Sequence, residues 1–358
     1  MLSTTRTRAA LTAIAVVAAT LLASCETPPP PPPVVAAPAA PPPITLSSSI
    51  VEKASAFRGY MQRAEAISPT FENGDQIQSS LKVAVAYEPK QFLAGATAYA
   101  AVLALQDPTF VASVRAFAAD PAQRQQVVNQ LIADPAYAVG FKGSDTAAGL
   151  IIDTLGADGL KLYTAGKAVK QSAYDIQRSK WSTQSVLDRD GRLAYAKTMS
   201  ATPGLADSVD MAALQQASIG AVPPTITVRS APPPYKPLVI RGMAVAALAA
   251  LGYAGDDKLT LIDAVMAEPA SAMCLNMGKL NLYQCLAVAK PHYEDVFCLG
   301  QHIMMDTGMC VMKASGAELP YEAPRLLPVK ESISVKGAGS NSKKAKAAAA
   351  KPAAKKKS

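Results

Sequence analysis

Cys274, Cys285, Cys298 and Cys310 share one stretch of the chain with both of its histidines, His292 and His302, and with Met273, Met277, Met304, Met305, Met309 and Met312. Two chemistries use such a set. Thiols pair into disulfides wherever the compartment oxidises. Thiolate, imidazole and thioether together suit Cu(I). For that second use, Cys298 and His302 stand one turn apart on a helix, and Met305 follows on the next turn. The tight Cys/His spacing of a zinc site is missing. Which chemistry applies depends on the redox compartment.

The first residues address that compartment. MLSTTRTRAALTAIAVVAATLLASC carries Arg6 and Arg8, then an apolar run from Ala9 to Ala23 too short for a comfortable membrane span. It ends in Leu22-Ala23-Ser24-Cys25. The whole resembles the signal of the bacterial lipoproteins, whose lipobox is an aliphatic residue, two small residues and a cysteine. The resemblance implies cleavage before Cys25, acylation of its thiol and new amino group, and attachment to a membrane by that lipid. In that class an Asp directly after the cysteine favours the inner membrane, so Glu26 leans towards the outer one. The expected site is the cell envelope, facing the periplasm.

In an oxidising compartment, and with Cys25 lipidated, four cysteines remain and allow three pairings. Pro269 opens a helix, and Lys290 places its charge near the negative end. Pro291 starts a second helix, with Glu294 and Asp295 in its favourable first turn. The result is an antiparallel hairpin bent at Pro291. Cys274 and Cys285 then lie roughly 16 Å apart along one helix, whereas a disulfide needs Cα atoms within about 7 Å. The same argument excludes Cys298–Cys310. Cys285 and Cys298 stand at equal heights about the bend, as do Cys274 and Cys310, so the nested pairing Cys274–Cys310 and Cys285–Cys298 is expected. Gly308 is expected to fray the second helix before Cys310. His292 is expected as an exposed first-turn residue and His302 as a buried, satisfied one. The layout is similar to the twin-cysteine hairpins of the coiled-coil-helix proteins, with C-x10-C and C-x11-C where those have C-x9-C twice. That likeness is architectural and carries no function.

The net charge of +8 is unevenly placed. Lys336, Lys343, Lys344, Lys346, Lys351, Lys355, Lys356 and Lys357 fall in a closing stretch with no acid, which leaves residues 25–335 close to neutral. Such a Lys/Ala-rich tail is expected to be disordered. Its available partners outside the inner membrane are anionic wall polymers, lipopolysaccharide, phospholipid head groups or an envelope protein; the alternative is a merely solubilising tail. Nucleic acid is not an expected partner there. Between Cys25 and Ser48, the Pro/Ala-rich run extends as a polyproline II spacer.

Catalytic patterns are sparse. No G-x-S-x-G elbow occurs. Ser79-Ser80-Leu81-Lys82 fits S-x-x-K without its partner motifs. Gly159 to Lys167 has the wrong glycine spacing for a phosphate loop, and Ala168 replaces the needed hydroxyl. Asp188 and Asp190 in DRDGR lack the later Glu of a calcium loop. Asp256-Asp257 reads as a helix cap. No cofactor is expected, and no enzyme activity is assigned.

The elements that position these residues are helical. Alanine is abundant and β-branched runs are few, so the class is mostly α. Asp107-Pro108, Asp120-Pro121 and Asp134-Pro135 each put a capping residue before a first-turn proline. Amphipathic helices are expected over 49–67, 89–105, 145–180 and 188–200, and further helices over 239–252 and 258–267. Residues 221–239 hold six prolines and one β-branched run, Thr225 to Val228, which reads as a loop or edge strand.

The expected layout is a signal peptide (1–24), a lipidated linker (25–48), a helical region (49–220), a Pro-rich loop (221–238), a helical region with the stapled hairpin (239–320) and a tail (321–358). The expected function is that of a non-catalytic envelope lipoprotein. The alternatives are a periplasmic copper or metal binder using 273–312, and an envelope hydrolase without a local motif.

Overall fold

The structure, a computed structural model, describes residues 40–220, 229–267 and 269–321, with 269–271 as backbone only. The described part is all-α; two isolated bridges, Leu46 to Ala254 and Ser185 to Pro291, are its sole β pairing. The expected loop or edge strand at Thr225 to Val228, Cys25 with its linker up to residue 39, and the tail lysines lie outside the described residues.

Helix starts follow the capping signals. α1 (Ser48–Glu65) is capped by Ser47, and α2 (Gly74–Val85) by Asn73. α3 (Pro89–Ala104) starts at Glu88-Pro89, where the Glu88 carboxylate accepts from Gln91 N at 2.7 Å. α4 (Pro108–Arg115) and α5 (Pro121–Ala133) start at their Asp-Pro pairs. The third pair, Asp134-Pro135, opens a 3-10 turn over Pro135–Gly140 instead of an α-helix. Gly143 is left-handed just beyond it (φ 85°), so the chain reverses before another α turn can close.

α6 (Ser144–Ile176) spans 33 residues, roughly 50 Å. α7 (Arg189–Met199) and α8 (Ser208–Ser218) are capped by Asp188 and Asp207. α9 (Pro237–Ala250) and α10 (Leu259–Met266) follow. Asp256 does not cap its own turn as expected: it accepts from Ser47 Oγ at 2.5 Å and ties that turn to the start of α1.

The last elements form the hairpin: α11 (Pro269–Val288), α12 (His292–Cys298), a π-helical segment (Leu299–Met305) and α13 (Asp306–Ser315). The expected fraying at Gly308 is corrected. The helix continues through it to Ser315 and ends at Gly316, which is left-handed (φ 82°). Gly308 faces Gly159 of α6 backbone to backbone. A Cβ on Gly159 would sit 2.8 Å from the Gly308 carbonyl oxygen, and one on Gly308 would meet the Gly159 oxygen at 2.5 Å. Gly166 and Gly300 make a second such approach two turns along. The glycines of the GLKLYTAGK stretch are therefore contact points of a helix crossing.

α3 and α9 are buried nearly all round and pack on each other at the centre, where Gly242 meets Ala100. Helices apolar on every side belong in the interior. α1 covers α3, and Phe57, Tyr60, Tyr87 and Phe92 interlock between them with ring centroids 4.7–5.2 Å apart. One hydrophobic cluster runs from Leu46 to Val311, so elements before and after residues 221–238 share it.

Candidate functional site

The hairpin is stapled as expected from level matching: Cys274 bonds Cys310 and Cys285 bonds Cys298, each with Cα atoms 5.7 Å apart. The second arm is two residues longer than the first between bend and outer cysteine. The π segment lies within that arm and holds more residues per turn than α, which absorbs the excess and keeps Cys310 level with Cys274.

Behind the bend sits a buried ion pair. Arg192 of α7 reaches Asp295 with one guanidinium nitrogen and the Leu286 carbonyl with another. Asp295 is fully buried; Gln78 Nε2 approaches its other oxygen at 3.5 Å. Burial pushes the Asp295 carboxyl up to about 6, against the lowering pull of Arg192. The sequence places Asp295 with Glu294 in the first turn of this helix, and nothing local distinguishes it from Glu294, which stays at the surface and accepts from Lys290 N. His292, expected exposed, is half-buried. Its ring covers Gly74 and faces Trp181 at 6.3 Å, a place open only because Gly74 lacks a side chain. Burial first, then Arg192, lowers its pKa, and Asp75 opposes them.

Lys279 is the second buried charge. Its ammonium donates to the carbonyls of Val85 (3.2 Å), Tyr87 and Ser200 (3.0 Å), and it lies 3.7 Å from the centroid of the Tyr87 ring. It thereby joins α11 to the ends of α2 and α7. The Tyr87 hydroxyl in turn shares a hydrogen bond with Thr307 (3.0 Å). Burial pulls Lys279 down to about 7, opposed by Glu88. Its folded pKa lies below the unfolded one, so unfolding takes up a proton between about pH 7 and 10.5 and stability rises with pH across that window. Lys279→Met is expected to abolish that rise. Orphaning the carbonyls costs about 1–3 kcal/mol, part of it offset by removing a buried cation. Urea unfolding at pH 7 and pH 10 checks both.

The three residues considered for copper point to different neighbours. The Cys298 sulfur is bonded to Cys285. His302 lies edge-on to Phe297, with Nδ1 3.5 Å from Asp306 and no hydrogen bond made there, so it is not the satisfied histidine expected. Met305 packs with Tyr163 and Met312. Among the described residues no group of three or more His, Cys, Asp or Glu is placed to hold a metal ion.

The catalytic patterns occupy ordinary helical positions. Ser79 is exposed on α2, and the Lys82 ammonium lies over the Tyr195 ring at 5.3 Å. Asp188 accepts from Gly191 N at 2.9 Å as the α7 cap. A pocket of about 390 Å³ opens beside the Cys285–Cys298 bond, lined by Tyr174, Val288, Tyr293, Glu294 and Phe297. A larger hollow of about 640 Å³ lies between α1, α3, α10 and α11, rimmed by Lys53, Lys90 and Asp263 over Leu93 and Met266. Neither gathers a nucleophile with a base. No described helix is long and apolar enough to cross a membrane.

No protein-family model, curated protein or solved structure matches the chain. The functional reading therefore rests on the geometry above and on the sequence.

Proposed function

We propose that the chain is a non-catalytic cell-envelope lipoprotein. In this reading Cys25 carries the lipid, residues 26–41 are the spacer, shorter than the 25–48 expected because residues 42–48 dock on the fold, and Lys343, Lys344, Lys346, Lys351, Lys355, Lys356 and Lys357 engage an anionic envelope partner. The observation that carries the reading is where the two flanking segments join the fold. Thr45 N donates to Ala249 O, and Arg115 holds both Pro42 O and Ala250 O at the C-terminal end of α9. Gly316 lies against Lys236, the residue that precedes α9 at its other end. The two segments thus join at opposite ends of a buried helix about 20 Å long. A lipid tether at one pole and a basic arm at the other suit a protein that bridges a membrane and a second anionic surface. The two disulfides add support, since such bonds persist outside the reducing cytoplasm.

In the unacylated Cys25→Ala protein, deleting residues 336–358 is expected to release the chain at low salt from isolated cell wall or from vesicles containing anionic phospholipid. Binding by the intact chain should weaken as salt rises. Pull-down with each of the two surfaces separates wall from lipid. Retention of the truncated chain on both would remove the arm from the account.

A further inference from the structure

α11 differs from the other long helices in having no charged residue on its outer face. Its one charge, Lys279, is buried. By contrast α6 exposes Lys161, Lys167 and Asp175. What α11 exposes is Met273, Met277, Leu280, Ala287 and Val288, with the polar but uncharged Asn276 and Gln284 between them. Met273 and Val288, at the two ends of the stripe, are 70 % and 73 % exposed. Leu187 is also fully exposed, on the loop whose neighbours Val186 and Arg189 bond to Lys290 O, Ala287 O and Ala289 O, so it extends the patch at the Val288 end. A helix apolar all round is normally covered on every side, and contiguous exposed apolar surface marks an interaction site.

We propose that this face is an isologous interface between two copies of the chain, crossing antiparallel about Leu280. The chemistry of the face selects that occupant. A membrane-surface helix sets Lys and Arg beside its apolar stripe, and α11 has none exposed. A charged peptide would find nothing to pair with. A second copy meets an uncharged stripe along α11, with the Arg189 guanidinium at its Val288 end bound to the Ala287 and Ala289 carbonyls and Lys197 at its flank over the Tyr283 ring. The spacing is symmetric as well: a two-fold axis at Leu280 and Asn281 sets Met273 against Val288 of the partner copy and Met277 against Gln284 of the partner copy, so the most exposed side chains cover each other. The disulfides at Cys274 and Cys285 hold α11 rigid on the body, which lowers the ordering cost of pairing. The proposal does not rest on lipidation.

The test is sedimentation equilibrium of the full chain at micromolar concentration, in detergent density-matched to the solvent. The full chain should sediment as a dimer. Leu280→Glu and Leu280→Lys, both at an exposed position, should each weaken association by roughly tenfold or more, with unchanged circular dichroism. An equimolar mixture of the two should dimerise again, because the two copies of position 280 flank the axis and would set opposite charges side by side. A monomeric full chain would overturn the proposal. So would dimers that survive in Leu280→Glu, since that result assigns association to another surface or to a shared lipid micelle. Vesicle binding lost in Leu280→Glu, with no dimer formed, would give the face to lipid instead.

Discussion

Arg192→Met is expected to cost about 3–5 kcal/mol at neutral pH, because it leaves the fully buried Asp295 carboxylate without its partner. The direction with pH follows from the raised pKa. The folded protein holds the Asp295 proton more tightly than the unfolded chain does. The stability from that difference is complete below the unfolded value of 3.8 and is lost as pH rises through the folded value, about 6 in the intact pair. Burial raises the pKa and Arg192 lowers it, so removing Arg192 moves the folded pKa further up and stretches the loss to higher pH. The deficit of the variant should therefore shrink as pH falls from 8 towards 4. Arg192→Met combined with Asp295→Leu should recover most of it, since an apolar pair of similar size has no charge to strand. Urea unfolding followed by the fluorescence of Trp181, the single tryptophan, reads the change beside the bend. An equal deficit at both pH values would mean that Asp295 titrates normally.

The two disulfides should contribute unequally. Cys274–Cys310 spans 36 residues and Cys285–Cys298 spans 13. Closing the longer loop removes more freedom from the unfolded chain, so the Cys274→Ser/Cys310→Ser variant should lose about 4 kcal/mol and the Cys285→Ser/Cys298→Ser variant about 3. Native packing works against that order. Cys298 is fully buried one turn from Asp295 of the Arg192–Asp295 pair, whereas the outer bond closes halfway along α13. Calorimetric melting of both variants and of the reduced protein measures the order. A larger loss from the inner bond would show that it acts on the native bend more than on the unfolded chain.

Much of the fold was legible because its signals are local. Asp-Pro pairs, the alanine-rich runs and the proline at residue 291 each act within one turn, and they placed α3, α4, α5, α9 and the hairpin. The disulfide pairing was legible for the same reason: helix rise and a known bend suffice to level the cysteines. What was missed is non-local. Asp295 and Lys279 look like surface residues in sequence, and only the convergence of α7, α2 and α11 buries them. Gly308 read as a weak point because its partner, Gly159, is far away in the chain. Asn73 and Asp207 were available as caps for α2 and α8, but the short helices behind them bury few residues and give a faint periodicity.

The central claim is that the chain is exported, cleaved before Cys25 and acylated there, with its other cysteines bridged. Intact-mass spectrometry of the protein from its native cells, with and without thiol alkylation, tests it most directly. The account predicts a polypeptide that begins at Cys25, carries the added mass of acyl chains on that residue and takes up no alkylating reagent at Cys274, Cys285, Cys298 or Cys310. A chain that still carries Met1 and takes up the reagent at those four cysteines would contradict it.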